Sequence, residues 1–126
     1  MTVRLALIST LAVVASCAAL PQDSATRPAV ELVGRTAGAA QRCVLLDQSQ
    51  SLRVSDTDRH MLLYGNGHVI WANRLSASCG FSSSDTLVTE PIGSYYCRGD
   101  LVRSFDRFTK IPGPACVLGD FVPFTH

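Results

Sequence analysis

A chain of 126 residues, 47% of them hydrophobic, has room for one domain and little more. Eleven basic against ten acidic side chains give a formal charge of +1, which excludes the basic excess that an unaided nucleic-acid binder needs. The 6 prolines and 9 glycines are scattered rather than periodic, which excludes a collagen-like polymer, while 5 cysteines make a dense and odd-numbered set.

The chain opens with Met-Thr-Val-Arg4, an apolar run from Leu5 to Val14, and the small residues Ala15-Ser16 before Cys17. A charged start, an apolar stretch of about ten residues and small residues at a processing point form a secretory leader. The apolar stretch 5–20 is interrupted by Ser9, Thr10 and Ser16. It falls short of the roughly 20 apolar residues that a membrane-spanning helix needs. Val14-Ala15-Ser16-Cys17 resembles the bacterial lipobox. That resemblance implies cleavage after residue 16, diacylglycerol on the Cys17 thiol and acylation of the new amino terminus. Ala18 follows where an Asp would favour retention at the inner membrane, so the pattern implies export to the outer membrane, facing the periplasm. Two or more acyl chains hold a protein durably on a bilayer where one does not. Loss of residues 1–16 removes Arg4 and leaves ten basic against ten acidic groups, with no electrostatic preference for anionic partners.

Residues 17–40 read as a lipidated N-terminus and tether, since 21–40 are mostly small and polar with two prolines and two glycines. As a flexible coil, 21–40 would span roughly 25 Å end to end. Its one apolar cluster, Val30-Glu31-Leu32-Val33, is a candidate for docking onto the folded part.

Residues 41–126 are punctuated like a β protein. Leu52-Arg53-Val54 alternates ahead of the turn signal Asp56-Thr57-Asp58. Met61-Leu62-Leu63-Tyr64 and His68-Val69-Ile70-Trp71 flank Gly65-Asn66-Gly67, a hairpin signal because Asn-Gly accepts positive φ angles. Both faces of these strands are apolar, so one face packs on the core and the other lies under a loop, a second layer or a partner. Further extended stretches are Thr86-Leu87-Val88-Thr89, Ser94-Tyr95-Tyr96-Cys97, Leu101-Val102-Arg103-Ser104-Phe105 and Cys116-Val117-Leu118, with Ile111-Pro112-Gly113-Pro114 as a breaker. A short helix is best placed at 44–51. The expected fold is mainly β, a small antiparallel sheet or partly open barrel with little helix beyond the leader.

Cys43, Cys79, Cys97 and Cys116 are separated by 36, 18 and 19 residues. Outside the cytosol an even set forms two disulfides, and zinc is disfavoured because no close C-x₂₋₄-C pair is present. Of three connectivities, Cys79–Cys97 with Cys43–Cys116 is the expected one, since the second bridge would tie the ends of the domain.

The segment from Cys43 to Phe124 resembles a family of small bacterial exported proteins of unknown function. Its matching residues are Cys43, Met61-Leu62-Leu63, Trp71-x-Asn73-x-Leu75, Cys79-Gly80, Cys97-Arg98-Gly99-Asp100-Leu101-Val102 and Cys116-Val117-Leu118-Gly119-Asp120-Phe121-x-Pro123. The resemblance implies a fold and no mechanism.

Catalytic signals are sparse. With a three-residue hairpin loop, His60, Leu62, Tyr64, His68 and Ile70 would share one strand face. His60, His68 and Asp56 are then the residues a hydrolase or metal-dependent enzyme would use. A metal site needs three or four ligands with supporting partners, and the pattern does not supply them. Ser76, Ser78 and Ser82-Ser83-Ser84 lack a nucleophile elbow, and no phosphate or dinucleotide fingerprint occurs, so no cofactor is expected. Arg98-Gly99-Asp100 spells an adhesion tripeptide but reads as a turn. A lipid carrier would require an apolar cavity that this length barely encloses. The expected function is a non-enzymatic envelope module, anchored to the outer membrane through Cys17, that binds or supports another envelope component, with an envelope protein as a possible partner.

Overall fold

The computed structural model describes residues 29–126; the leader, Cys17 and the first part of the tether lie outside the described residues. Ten strands follow a single 3-10 turn at Val30–Leu32: β1 Thr36–Ala37, β2 Cys43–Leu45, β3 Arg53–Val54, β4 Met61–Tyr64, β5 Val69–Arg74, β6 Thr86–Thr89, β7 Tyr95–Cys97, β8 Leu101–Phe105, β9 Pro112–Val117 and β10 Phe121–Thr125. They form a five-stranded sheet in the order β1-β10-β5-β4-β3, a three-stranded sheet β6-β8-β9 and a pair β2-β7. Every pairing is antiparallel. The sheets do not close into a barrel, so the mainly β expectation holds in its open-sheet form.

The expected helix over 44–51 is replaced by β2 and a turn. Val44 is buried opposite Tyr96, and Asp47 then bends the chain by accepting the Ser49 N–H at 2.9 Å while Gln50 N–H donates to its carbonyl. An Asx turn of this kind competes directly with helix. The breaker at 112–114 is a strand: β9 lies at the edge of its sheet, where a proline's missing N–H leaves no ladder bond unmade. β10 lies outside the expected strands, because Pro123 argues against an interior strand. It is accommodated because β1 pairs only with Phe124 and Thr125, beyond the proline, while Gly38 N–H donates to the Pro123 carbonyl at 2.7 Å.

Register decides what each face of the central hairpin does. Tyr64 pairs with Trp71 and Leu63 with Ala72, so the connection holds an even number of residues, not three. That parity turns Ile70 away from Leu62 and Tyr64, which corrects the expected grouping. Leu62 and Tyr64 instead join Val44, Phe81, Val102, Leu118 and Phe121 in the main core between the five-stranded sheet and the smaller sheets. Met61, Leu63, Ile70 and Ala72 face the other way and are covered by Ala29 and Leu32. Of the apolar cluster of the expected tether, Leu32 therefore docks on the second face, while Val30 and Val33 stay exposed.

Glu31 fastens this docked segment. Its carboxylate accepts the Ser55 hydroxyl and the Asp56 N–H, both at 2.8 Å, and Val30 N–H donates to the Thr57 hydroxyl at 3.0 Å. Partial burial works against ionisation, but these hydrogen bonds and the nearby Arg53 charge outweigh it and hold the Glu31 carboxyl below its ordinary 4.5. A lowered folded-state value means that the stabilisation is present above the unfolded value and lost as pH falls through the folded one. The expected outcome is that E31Q lowers stability at pH 7 by on the order of 1 kcal/mol, after solvent screening of this partly exposed group. The gap between E31Q and the parent should shrink as pH falls below about 4.5, read by thermal unfolding across pH.

Both disulfides form, with a connectivity that corrects the expected one: Cys43–Cys97 and Cys79–Cys116. Cys43 stands directly opposite Cys97 in the β2–β7 ladder, with Cα atoms 4.1 Å apart. Cross-strand register, not closure of the domain ends, selects the partner. Cys79, in the segment after β5, reaches the buried Cys116 of β9.

Candidate functional site

The histidines and Asp56 are not brought together. His60 precedes β4, and its Nδ1 lies 2.7 Å from the Cys79 carbonyl. Its own carbonyl accepts Leu75 N–H at 2.8 Å. His68 sits at the far end of β4, in the hairpin turn, with its carbonyl facing the Arg35 guanidinium. The two histidines stand at opposite ends of β4. Asp56 lies in the β3–β4 turn, where its N–H is bound to Glu31. No group of three His, Cys, Asp or Glu side chains converges as a metal site among the described residues.

The tripeptide Arg98-Gly99-Asp100 forms the turn between β7 and β8. Gly99 has a φ of 96°, its N–H donates to the Leu118 carbonyl, and the Asp100 carboxylate accepts Cys97 N–H at 2.8 Å. The aspartate is thus occupied in closing its own turn. Ser82 and Asp85 close a polar turn in the same manner, through the Ser82 N–H on the Asp85 carboxylate at 2.9 Å.

Two motif segments meet at Asn73 and Gly119. The fully buried Asn73 donates its amide to the Gly119 carbonyl and accepts the Gly119 N–H, both at 2.8 Å. A Cβ on Gly119 would come within 2.8 Å of the Arg74 carbonyl, so the close approach requires glycine there. Trp71-x-Asn73 and Leu118-Gly119-Asp120-Phe121 are therefore joined by packing and hydrogen bonding.

The surface feature that stands apart is the outer face of the three-stranded sheet. Leu101 pairs with Val117, and Val88 with Arg103, which pairs in turn with Ala115. These residues turn away from the core while Val102, Ser104 and Cys116 turn inward. Val88 is 43% exposed, Leu101 48% and Val117 54%, and Phe108 in the connection to β9 is 84% exposed. Leu101 and Val117 are direct cross-strand neighbours and Val88 lies diagonal to Leu101, with the exposed Arg103 between Val88 and Ala115; apolar groups gathered on one exposed face mark contact sites more often than scattered ones do. β6 also borders only β8, so its other edge carries unpaired backbone groups. At the opposite edge, Pro112 and Pro114 leave fewer donors and the Cys79 bridge lies against Ala115. The sequence marks β6, β8 and the Cys116-Val117 end of β9 but not their outer face; the signal for that face is that Leu101-Val102 and Cys116-Val117 place apolar side chains on both parities of a short strand.

No family model, curated protein or solved structure matches this chain.

Proposed function

We propose that this protein is a lipid-anchored module of the bacterial envelope, held in the outer membrane through acylated Cys17 and facing the periplasm. There it binds or supports another envelope protein without carrying out catalysis. The leader and the Val14-Ala15-Ser16-Cys17 sequence support the anchor. The binding role is carried by one observation, the exposed Val88, Leu101 and Val117 on the outer face of β6-β8-β9 beside the open β6 edge. An extended partner segment could add to β6 through main-chain hydrogen bonds while its side chains meet Val88, Leu101 and Val117.

Photo-crosslinking from Val88 or Leu101 in living cells tests the reading. The expected result is one discrete protein adduct from both positions and none from Ala37, with the Leu101 adduct lost in V88E. Equal, diffuse labelling from all three positions would contradict it.

A further inference from the structure

Beyond that sheet face, a second and independent surface is built around the chain's single tryptophan. A cleft of about 460 Å³ lies between the β4–β5 hairpin turn and the loop after β2, lined by Trp71, Leu45, Asp47, Gln50, Asn66 and His68 among others. Its walls are fixed from below. The Tyr64 hydroxyl accepts Asp47 N–H at 2.6 Å and donates to the Leu45 carbonyl at 3.2 Å. The Arg53 guanidinium holds the Gly65 carbonyl at 2.8 Å. Gly65 itself, at φ 89°, leaves room for the Gln50 side chain, which a Cβ there would approach to 3.2 Å.

The polar groups at the rim are uncommitted. Hydrogen bonds around the cleft engage Asp47, Tyr64 and Arg53, whereas the Gln50 and Asn66 side-chain amides enter none among the described residues. Each amide offers both donors and an acceptor. Asp47 is the one carboxylate in the lining, and the Ser49 hydroxyl and N–H hold it below its ordinary value, so it is ionised. No lysine or arginine lines the cleft to receive an anion. Glycoside cleavage in its usual form needs a pair of carboxyl groups, so this lining suits binding rather than hydrolysis. A half-buried tryptophan in the lining, free amides and one hydrogen-bond-accepting carboxylate match a ligand with hydroxyls at its edges and C–H groups on its face.

We infer that the Trp71 cleft binds a neutral oligosaccharide, stacked on the indole and held at its hydroxyl or acetamido groups by Gln50 and Asn66. The inference depends neither on the Cys17 anchor nor on the β6-β8-β9 face. Because Trp71 is the only tryptophan, its emission reports this cleft alone.

Titration of the full chain with triacetylchitotriose, and separately with maltotriose, up to about ten times a 1 mM dissociation constant, tests it. The expected result is a saturable emission change with at least one trisaccharide. Q50A and N66A should each weaken that binding at least about tenfold, equal to about 1.4 kcal/mol. V88E, in the separate three-stranded sheet and outside the cleft lining, should leave it unchanged, and thermal unfolding of Q50A and N66A should match the parent. No saturable change with either sugar, or an affinity indifferent to Q50A and N66A, overturns the inference.

Discussion

Replacing Cys79 and Cys116 together with alanine is expected to lower the unfolding free energy by about 4 kcal/mol. That figure follows from the chain entropy of closing a loop with a sequence separation of 37 residues. A domain of this size has a net stability of roughly 5–15 kcal/mol, so the bridge accounts for a large share of it. The corresponding fall in melting temperature is on the order of 20 °C. The effect should be large here because the bridge ties the segment after β5 to β9, joining the five-stranded sheet's connection to the three-stranded sheet. Cys116 is also buried in the main core, so its removal leaves space there as well. Thermal unfolding by circular dichroism under non-reducing conditions reads the change. A shift of only a few degrees would mean that the bridge does not couple the sheets.

F121A is expected to cost about 3–5 kcal/mol, the range for removing a buried aromatic side chain and leaving its cavity. Phe121 is fully buried and opens β10, where it pairs with Asn73 of β5. On its other side its backbone exchanges hydrogen bonds with Gln41 at 2.7 and 2.8 Å. Its ring therefore fills the core at the junction of three chain segments that cannot close independently. F121L should cost less than about 1.5 kcal/mol, because a near-volume-conserving apolar replacement refills most of the space. Denaturant unfolding of the two variants separates cavity formation from loss of aromatic character. Equal losses in both would point to a specific role for the ring.

The composition, the cysteine spacing and the Asn-Gly signal make a disulfide-bearing antiparallel β domain legible from sequence. The apolar residues on both faces of β4 and β5 also announce a second covering layer, and the Val30-Glu31-Leu32-Val33 cluster is recognisable as a docking segment. What stays hidden depends on contacts between distant segments. The disulfide partners follow from Cys43 lying opposite Cys97 in a three-residue ladder, which spacing along the chain does not encode. β9 and β10 are masked by Pro112, Pro114 and Pro123, whose tolerance depends on which neighbouring strand needs an N–H. The Trp71 cleft is hidden in a different way. Trp71 reads as a core residue, and part of it is, while Gln50 and Asn66 come from two separate loops whose meeting is set by the Tyr64 hydroxyl.

Non-reducing mass spectrometry of the protein recovered from cell membranes bears most directly on its place and build. The expected result is an acylated peptide that begins at Cys17, accompanied by crosslinked peptides joining Cys43 to Cys97 and Cys79 to Cys116. An unacylated chain with free thiols at those four positions would contradict both the anchor and the oxidising location.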